Sequence, residues 1–291
     1  MAQELREAHP TMIPRIALTI AALALAPACH AGSFMRSGGE SFVSVGLAMD
    51  RGDRIFNKQG QRESTTCDPS QSLTLYAEHG WSYYTTVFAS GLLRHQACGS
   101  GDDWGLDSGK LGIARRLDPL SSRWVWEAAL LFPSHRFGYQ SSSQDAFGLE
   151  AALHFHPRPD PYDLDRAIDP LRPYWDFGAG IKAWAGGLPL EGWVGARYTR
   201  PLREMNPNTG AGGWAASFSL DYSQTLAGGE ASSPLAVDNE DDYWRLDAGI
   251  ALKHSLRRHE SLRLELKSSL AGENTYDNRE ISLRYEKTFA R

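Results

Sequence analysis

The sequence predicts an all-β protein, an antiparallel transmembrane β-barrel of about twelve strands of the bacterial outer-membrane kind. Three observations predict it. Segments of about ten residues alternate apolar and polar side chains along most of the chain. Aromatic residues gather toward the ends of those segments, as an interfacial girdle requires. An apolar segment of export type, 16–28, precedes them all.

That first segment reads IALTIAALALAPA, with Arg15 just before it and a small residue, Ala31, before Gly32. It has the length of a signal-peptide h-region, so residues 1–31 are expected to be a signal peptide and 32–291 the barrel. Glu4 and Glu7 are out of place in a positive leading region, which points to Met12 as the natural start. An uncleaved anchor is the alternative, but the run is short and no stop-transfer flank follows. A lipoprotein modified at Cys29 is another, with Ala26-Pro27-Ala28 a poor lipobox.

Side chains of a strand point alternately to its two faces. At the C-terminal end Ile281, Leu283, Tyr285 and Phe289 share one face, and Ser282, Arg284, Glu286 and Thr288 the other. Upstream, Leu262, Leu264 and Leu266 oppose Arg263, Glu265 and Lys267; Trp244, Leu246, Ala248, Ile250 and Leu252 oppose Arg245, Asp247 and Lys253. Trp214 to Tyr222 alternates with Ser217, Ser219 and Asp221, Trp124 to Phe132 with Glu127, and Phe147 to Phe155 with Glu150 and His154. Helical spacing is missing from these runs, and Gly, Trp, Tyr and Ser are frequent in them. A soluble β-sandwich also alternates, but its strands usually have about five or six residues. Strands are expected near 40–50, 71–80, 82–96, 107–117, 122–133, 145–156, 174–185, 191–201, 213–224, 242–255, 261–272 and 279–289.

With the N-terminus in the periplasm, the connections 51–70, 97–106, 134–144, 225–241 and 273–278 fall outside the cell, and the short turns after residues 80, 117 and 256 fall inside. The Pro-rich run 157–173 fits less well, being long on the periplasmic side; it cannot be a central strand.

Composition narrows the function. The 291 residues are 42% hydrophobic and 22% charged, with 30 Lys+Arg against 35 Asp+Glu and a net charge of −5. That gives no basic excess for nucleic acid. The mean hydropathy of −0.41 excludes a polytopic helical membrane protein but not a barrel, whose two faces average to a polar mean.

After removal of Cys29, Cys67 and Cys98 remain, both in expected extracellular loops, and an even pair in an oxidising compartment reads as a disulfide. Two free thiols are the alternative. His154 and His156 share a face without a third ligand, so no metal and no cofactor is expected. The chain has no G-x-S-x-G elbow, P-loop, dinucleotide fingerprint or HExxH. Ser134-His135 and His254-Ser255 leave a lipid hydrolase as a minor alternative to a non-enzyme. The acidic stretch Asn239-Glu240-Asp241-Asp242 reads as a solvated loop rather than a divalent-ion site.

Alternation turns Glu78, Glu127, Glu150, Asp176, Asp221, Asp247 and Glu265 inward with Lys110, Arg116, Lys182, Arg197, Arg245, Arg263 and Lys267. The signs balance. A lumen selective for one sign of solute carries a ring of one sign. A balanced lumen pairs its charges across neighbouring strands, such as Asp247 or Arg245 with Arg263 or Glu265. The expectation is a narrow or closed pore with little ion selectivity.

Leu73-Thr74-Leu75-Tyr76-Ala77-Glu78-His79-Gly80 resembles the SLYAEYG strand and turn of a group of proteobacterial outer-membrane proteins named for XagA. That group is akin to transporter-like proteins of the meta-pathway of phenol degradation. Phe177-Gly178-Ala179-Gly180, through Gly186-Gly187-Leu188-Pro189 to Glu191-Gly192-Trp193, resembles its GYRWRGGDLPNEW stretch, and Arg279-Glu280-Ile281 to Tyr285 its closing strand. The likeness is collinear over most of the mature chain. The start Gly32-Ser33-Phe34 departs from the GAWTQ of the group. The resemblance implies a barrel linked to exopolysaccharide or biofilm export, or to uptake of small hydrophobic compounds.

The expected partners are outer-membrane lipid and lipopolysaccharide, a small solute or saccharide, and the barrel-assembly machinery, for which Tyr285 and Phe289 form the C-terminal signal. The Phe is followed here by Ala290 and Arg291. A structural or surface-interaction barrel with a closed lumen is the competing function.

Overall fold

The computed structural model describes residues 35–36, 38–51, 54–64, 69–98, 101–117, 123–132, 147–157, 173–185, 190–206, 208–227 and 242–289. The expected signal peptide, the Ser134-His135 pair, residues 239–241 of the acidic stretch and Cys67 lie outside them, as does the side chain of Cys98. The disulfide therefore stays an expectation.

Twelve strands form the barrel wall. They are β1 (Ser41–Asp50), β4 (Ser70–Ser82), β5 (Thr85–Cys98), β6 (Gly101–Arg116), β7 (Trp124–Phe132), β8 (Gly148–Phe155), β9 (Tyr174–Trp184), β10 (Leu190–Arg203), β11 (Trp214–Ala227), β12 (Trp244–Arg257), β13 (Glu260–Glu273) and β15 (Arg279–Phe289). Each pairs antiparallel with its neighbour, and β1 pairs with the last strand, β15, from Ser41↔Phe289 to Asp50↔Glu280. β9 runs beside β10, so the sheet closes and leaves no edge. Closure lets strands cross a bilayer, because unpaired N–H and C=O groups cost several kcal/mol in hydrocarbon.

The sides of the strands are inverted relative to a water-soluble core. Leu47, Leu149, Ile250 and Leu266 lie exposed on the outer face, while Glu78, Glu127, Glu150, Asp247 and Glu265 are buried inside. Rings mark both ends of the apolar band. At the end carrying the termini, Trp124 packs on Phe155 (4.5 Å between centroids), Trp175 on Tyr198 (4.9 Å) and Trp214 on His254 (4.2 Å). At the other end Phe132 meets Phe147 and Tyr222 meets Trp244, each at 6.3 Å. Tyr and Trp suit this level, with an apolar body and a polar tip.

Two connections differ from expectation. The segment 97–106, expected as a loop, instead prolongs β5 and β6 into a hairpin paired to Cys98↔Gly101. Its Gly and Asp residues have poor strand propensity, but each strand satisfies the backbone of the other beyond the band. The segment 51–70, also expected as a plain loop, contains β2 (Arg54–Phe56) and β3 (Arg62–Ser64). With β14 (Thr275–Tyr276) these make a three-stranded sheet in the order β14-β2-β3. That cap ties the loop after β1 to the loop before β15. Arg62 Nε lies 3.0 Å and Arg279 Nη2 3.3 Å from Asp277 Oδ2, and Asp277 is 1% exposed.

Candidate functional site: the lumen

The inward positions of the twelve strands make one continuous polar surface, and its two halves are built differently. In the half formed by β4 to β10, charges sit among rings. Glu127 accepts from Lys110, and its Oε2 lies 3.3 Å from His154 Nε2. Lys110 also reaches Glu150 (3.0 Å), which accepts a hydrogen bond from Trp193 Nε1 at 2.7 Å. Next to them Phe88, Ala114, Val125 and Ala129 form a small apolar cluster. His156 Nδ1 lies 2.7 Å from Asp176 Oδ1. Arg116 stacks over the Tyr83 ring, and Lys182 stands opposite Glu150 in register on β9. Trp193 fits because its neighbour on β9 is glycine: a Cβ at Gly180 would stand 2.7 Å from the indole.

The chain before β1 enters this half. Met35 packs on the apolar cluster, so it lies within the bore near the turns after β4 and β6. Arg36 Nε donates to Glu78 at 2.6 Å, its backbone N–H donates to Thr86, and its guanidinium lies over the Phe42 ring at 4.3 Å. Tyr76 donates its hydroxyl to the same Glu78.

In the half formed by β11 to β15, charges pair mostly with charges. Arg245 Nε lies 3.1 Å from Asp247, and Arg263 Nε 3.3 Å from Glu265. Lys267 bridges Asp221 (3.1 Å) and Asp247 (3.5 Å), and Ser269 donates to Asp247 at 2.7 Å. Arg197 lies on the inward face of β10, close enough to Arg263 and Glu265 to interact electrostatically. Lys253 meets Glu286 at 2.6 Å.

All fourteen charged residues read as lumen-lining stand on inward positions of the wall. The pairing differs from expectation: Arg245 and Arg263 take the carboxylate two residues on along their own strand. The register explains it, since Asp247 faces Ser269, Arg245 faces Gly272 and Arg263 faces Lys253, which leaves the expected Asp247–Arg263 and Arg245–Glu265 pairs out of line. Sequence reasoning left out Arg36, Trp193, Lys253, Arg284 and Glu286. Alternation already turned the last three inward. Arg36 precedes the first strand, where no periodicity exists to read.

Tyr285 and Phe289 face outward on β15, with Lys287 Nζ over the Phe289 ring at 5.3 Å. Among the described residues no group of three or more His, Cys, Asp and Glu side chains is arranged to hold a metal ion. Of the Ser–His candidates, His254 is occupied by the Trp214 ring and the Gly213 carbonyl.

No family model and no curated protein matches the chain. Among solved structures it is similar to an outer membrane channel from Pseudomonas putida F1, with a TM-score of 0.60, 13% identity, and coverage of 90% of this chain and 100% of that one. It is also similar to the beta domain of the Bordetella autotransporter Brka, with a TM-score of 0.51, 13% identity, and coverage of 87% and 100%. At such identities the likeness establishes the fold: a twelve-stranded barrel of the outer-membrane type.

Proposed function

We propose that the protein is an exported outer-membrane channel of narrow bore that passes a small solute or serves the export of a saccharide chain. The observation that carries this reading is the self-paired interior. Lys110–Glu127–His154, Lys110–Glu150 and Lys267–Asp221 join separate strands on the inner face, Arg263–Glu265 pairs along β13, and Met35 with Arg36 fill part of the bore from the terminal end. Export by cleavage after Ala31, recognition of Tyr285 and Phe289 by the assembly machinery, contact with lipopolysaccharide and a Cys67–Cys98 bridge belong to the same reading. The similarity to an outer membrane channel is in keeping with it.

Single-channel recording in planar bilayers tests it. The expected record is a small, fluctuating conductance with weak ion selectivity. A large, stable conductance, or strong preference for anions over cations, contradicts a self-paired lumen.

A closed structural barrel is the second reading, favoured by the Arg36–Glu78 contact and the rim sheet. No conductance in wild type and in an Arg36→Ala variant selects it. A lipid hydrolase has one geometric foothold, Ser41 Oγ at 2.8 Å from His79 Nδ1 on the outer face. Among the described residues no carboxylate contacts His79 to complete a triad. Phospholipid hydrolysis lost in Ser41→Ala would revive that reading.

A further inference from the structure

A row of cations crosses the lumen wall from β12 to β15. Lys253 stands opposite Arg263, and Arg263 opposite Arg284, all on inward positions. Like charges on directly opposed positions repel. Two carboxylates answer these three cations. Glu286 takes Lys253 at 2.6 Å. Glu265 Oε2 is shared between Arg263 Nε at 3.3 Å and Arg284 Nη2 at 3.7 Å. Arg197 adds a fourth positive charge from β10. The longer Arg284 contact is beyond hydrogen-bond reach, and Arg284 Nε has no hydrogen-bond partner among the described residues.

The wall under Arg284 is low, and the arginine stem lies across it. Its register neighbour on β1 is Gly46, where a Cβ would stand 2.7 Å from Arg284 Cγ. The inward positions around it are Ser44, Ala48, Thr74 and Ser282, all short and three of them hydroxylated. The Arg284 side chain keeps 33% of its exposure and that of Lys253 44%, both toward the bore. A fork of N–H donors that shares one carboxylate with a second guanidinium matches one more planar oxyanion, and the fork geometry favours bidentate capture. Ser44 and Ser282 are buried beneath it, and the partly exposed Thr74 offers a hydroxyl that suits a solute carrying its own.

We propose that Arg284, lying over the low wall at Gly46, with Lys253 and Arg263, is a binding subsite for the carboxylate of a small hydroxylated solute, a sugar acid in chemical class. The subsite rests on the reading of the lumen as a passage. Within a bore of balanced charge it gives the solute a local stop.

The full-length chain in detergent micelles, titrated calorimetrically with sodium D-glucuronate, D-glucose and inorganic phosphate, tests the subsite. Glucuronate is expected to bind, phosphate to compete with it, and glucose to do neither. Arg284→Gln is expected to weaken glucuronate binding roughly tenfold or more, the loss of hydrogen bonds to a charged group. Gly46→Val, whose added carbons would displace the Arg284 stem without removing its charge, is expected to abolish it. Lys287→Gln, on the outer face, should change nothing. Heat-modifiable migration in gels shows which variants still fold. Glucose bound as well as glucuronate, phosphate bound without glucuronate, or unchanged binding in both folded Arg284→Gln and folded Gly46→Val overturns the proposal. Bilayer recordings separate the two claims. A silent protein that binds glucuronate through Arg284 sinks the passage and leaves the subsite; a conducting protein that glucuronate neither binds nor blocks does the reverse.

Discussion

The two halves of the lumen solve the problem of a polar interior in different ways. Around Glu127 and Glu150, carboxylates are buried among Phe88, Val125 and Trp193, and each is satisfied by donors of different kinds: an ammonium, an imidazole, an indole. Around Asp247 and Glu265, charges lie in ladders of Arg, Lys, Asp and Glu, several partly exposed. The first half is a packed core that happens to be charged. The second keeps its carboxylates as buried but leaves the cations Lys253, Lys267 and Arg284 partly exposed to the bore. The difference teaches where rigidity and where solute contact belong in the bore. A buried ion loses much when a partner is removed, because it stays desolvated; a solvated one loses little, because water and spare partners replace it.

Four substitutions sharpen or break that contrast. Glu127→Ala removes the carboxylate beside His154 and one of the two beside Lys110, which keeps Glu150, and a loss at the lower end of about 3–5 kcal/mol is expected from breaking a buried pair. Denaturant unfolding in micelles measures it; a loss near that of a surface pair would mean the first half is as wet as the second. Ile250→Arg places a charge in the middle of the outer band and is expected to cost about 2–4 kcal/mol in a lipid bilayer. The cost should fall sharply in the presence of a denaturing detergent, since the lipid and not the lumen sets it. Lys267→Met removes one cation from the hydrated ladder, but Asp247 keeps Arg245 and Ser269. A loss of about 1 kcal/mol or less is expected, and a loss matching Glu127→Ala would erase the distinction between the halves. Arg36→Ala takes one donor from the buried Glu78, which keeps the Tyr76 hydroxyl, so a smaller loss than for Glu127→Ala is expected. Its readout is conductance, expected to rise as the segment before β1 leaves Glu78, with no rise if that segment does not narrow the bore.

Much of this architecture is legible in the chain. The pattern Ile281, Leu283, Tyr285 against Ser282, Arg284, Glu286 indicates a strand with lipid on one side, because period two allows no other arrangement of so many polar residues. Elements went unread where the reason for structure is not periodic. β2, β3 and β14 are two or three residues long, and their sheet is tied by Asp277, which holds Arg62 from a distant loop as well as its near neighbour Arg279. The hairpin beyond residue 96 is joined by backbone pairing, which side-chain patterns do not report.

The sequence by itself determined the class of fold, the alternation of faces, the inward set of charges and the strands' approximate bounds. All are local properties, set by which side of a two-residue period each side chain occupies. Tertiary structure decided which charge meets which. Register puts Lys253, Arg263 and Arg284 in one row and keeps Asp247 out of line with Arg263. Closure brings Trp193 over Gly180 to reach Glu150, and leads Met35 and Arg36 into the bore. Contacts of that kind depend on the stagger between strands and on the curvature of a closed wall, and a linear pattern of apolar and polar residues carries neither.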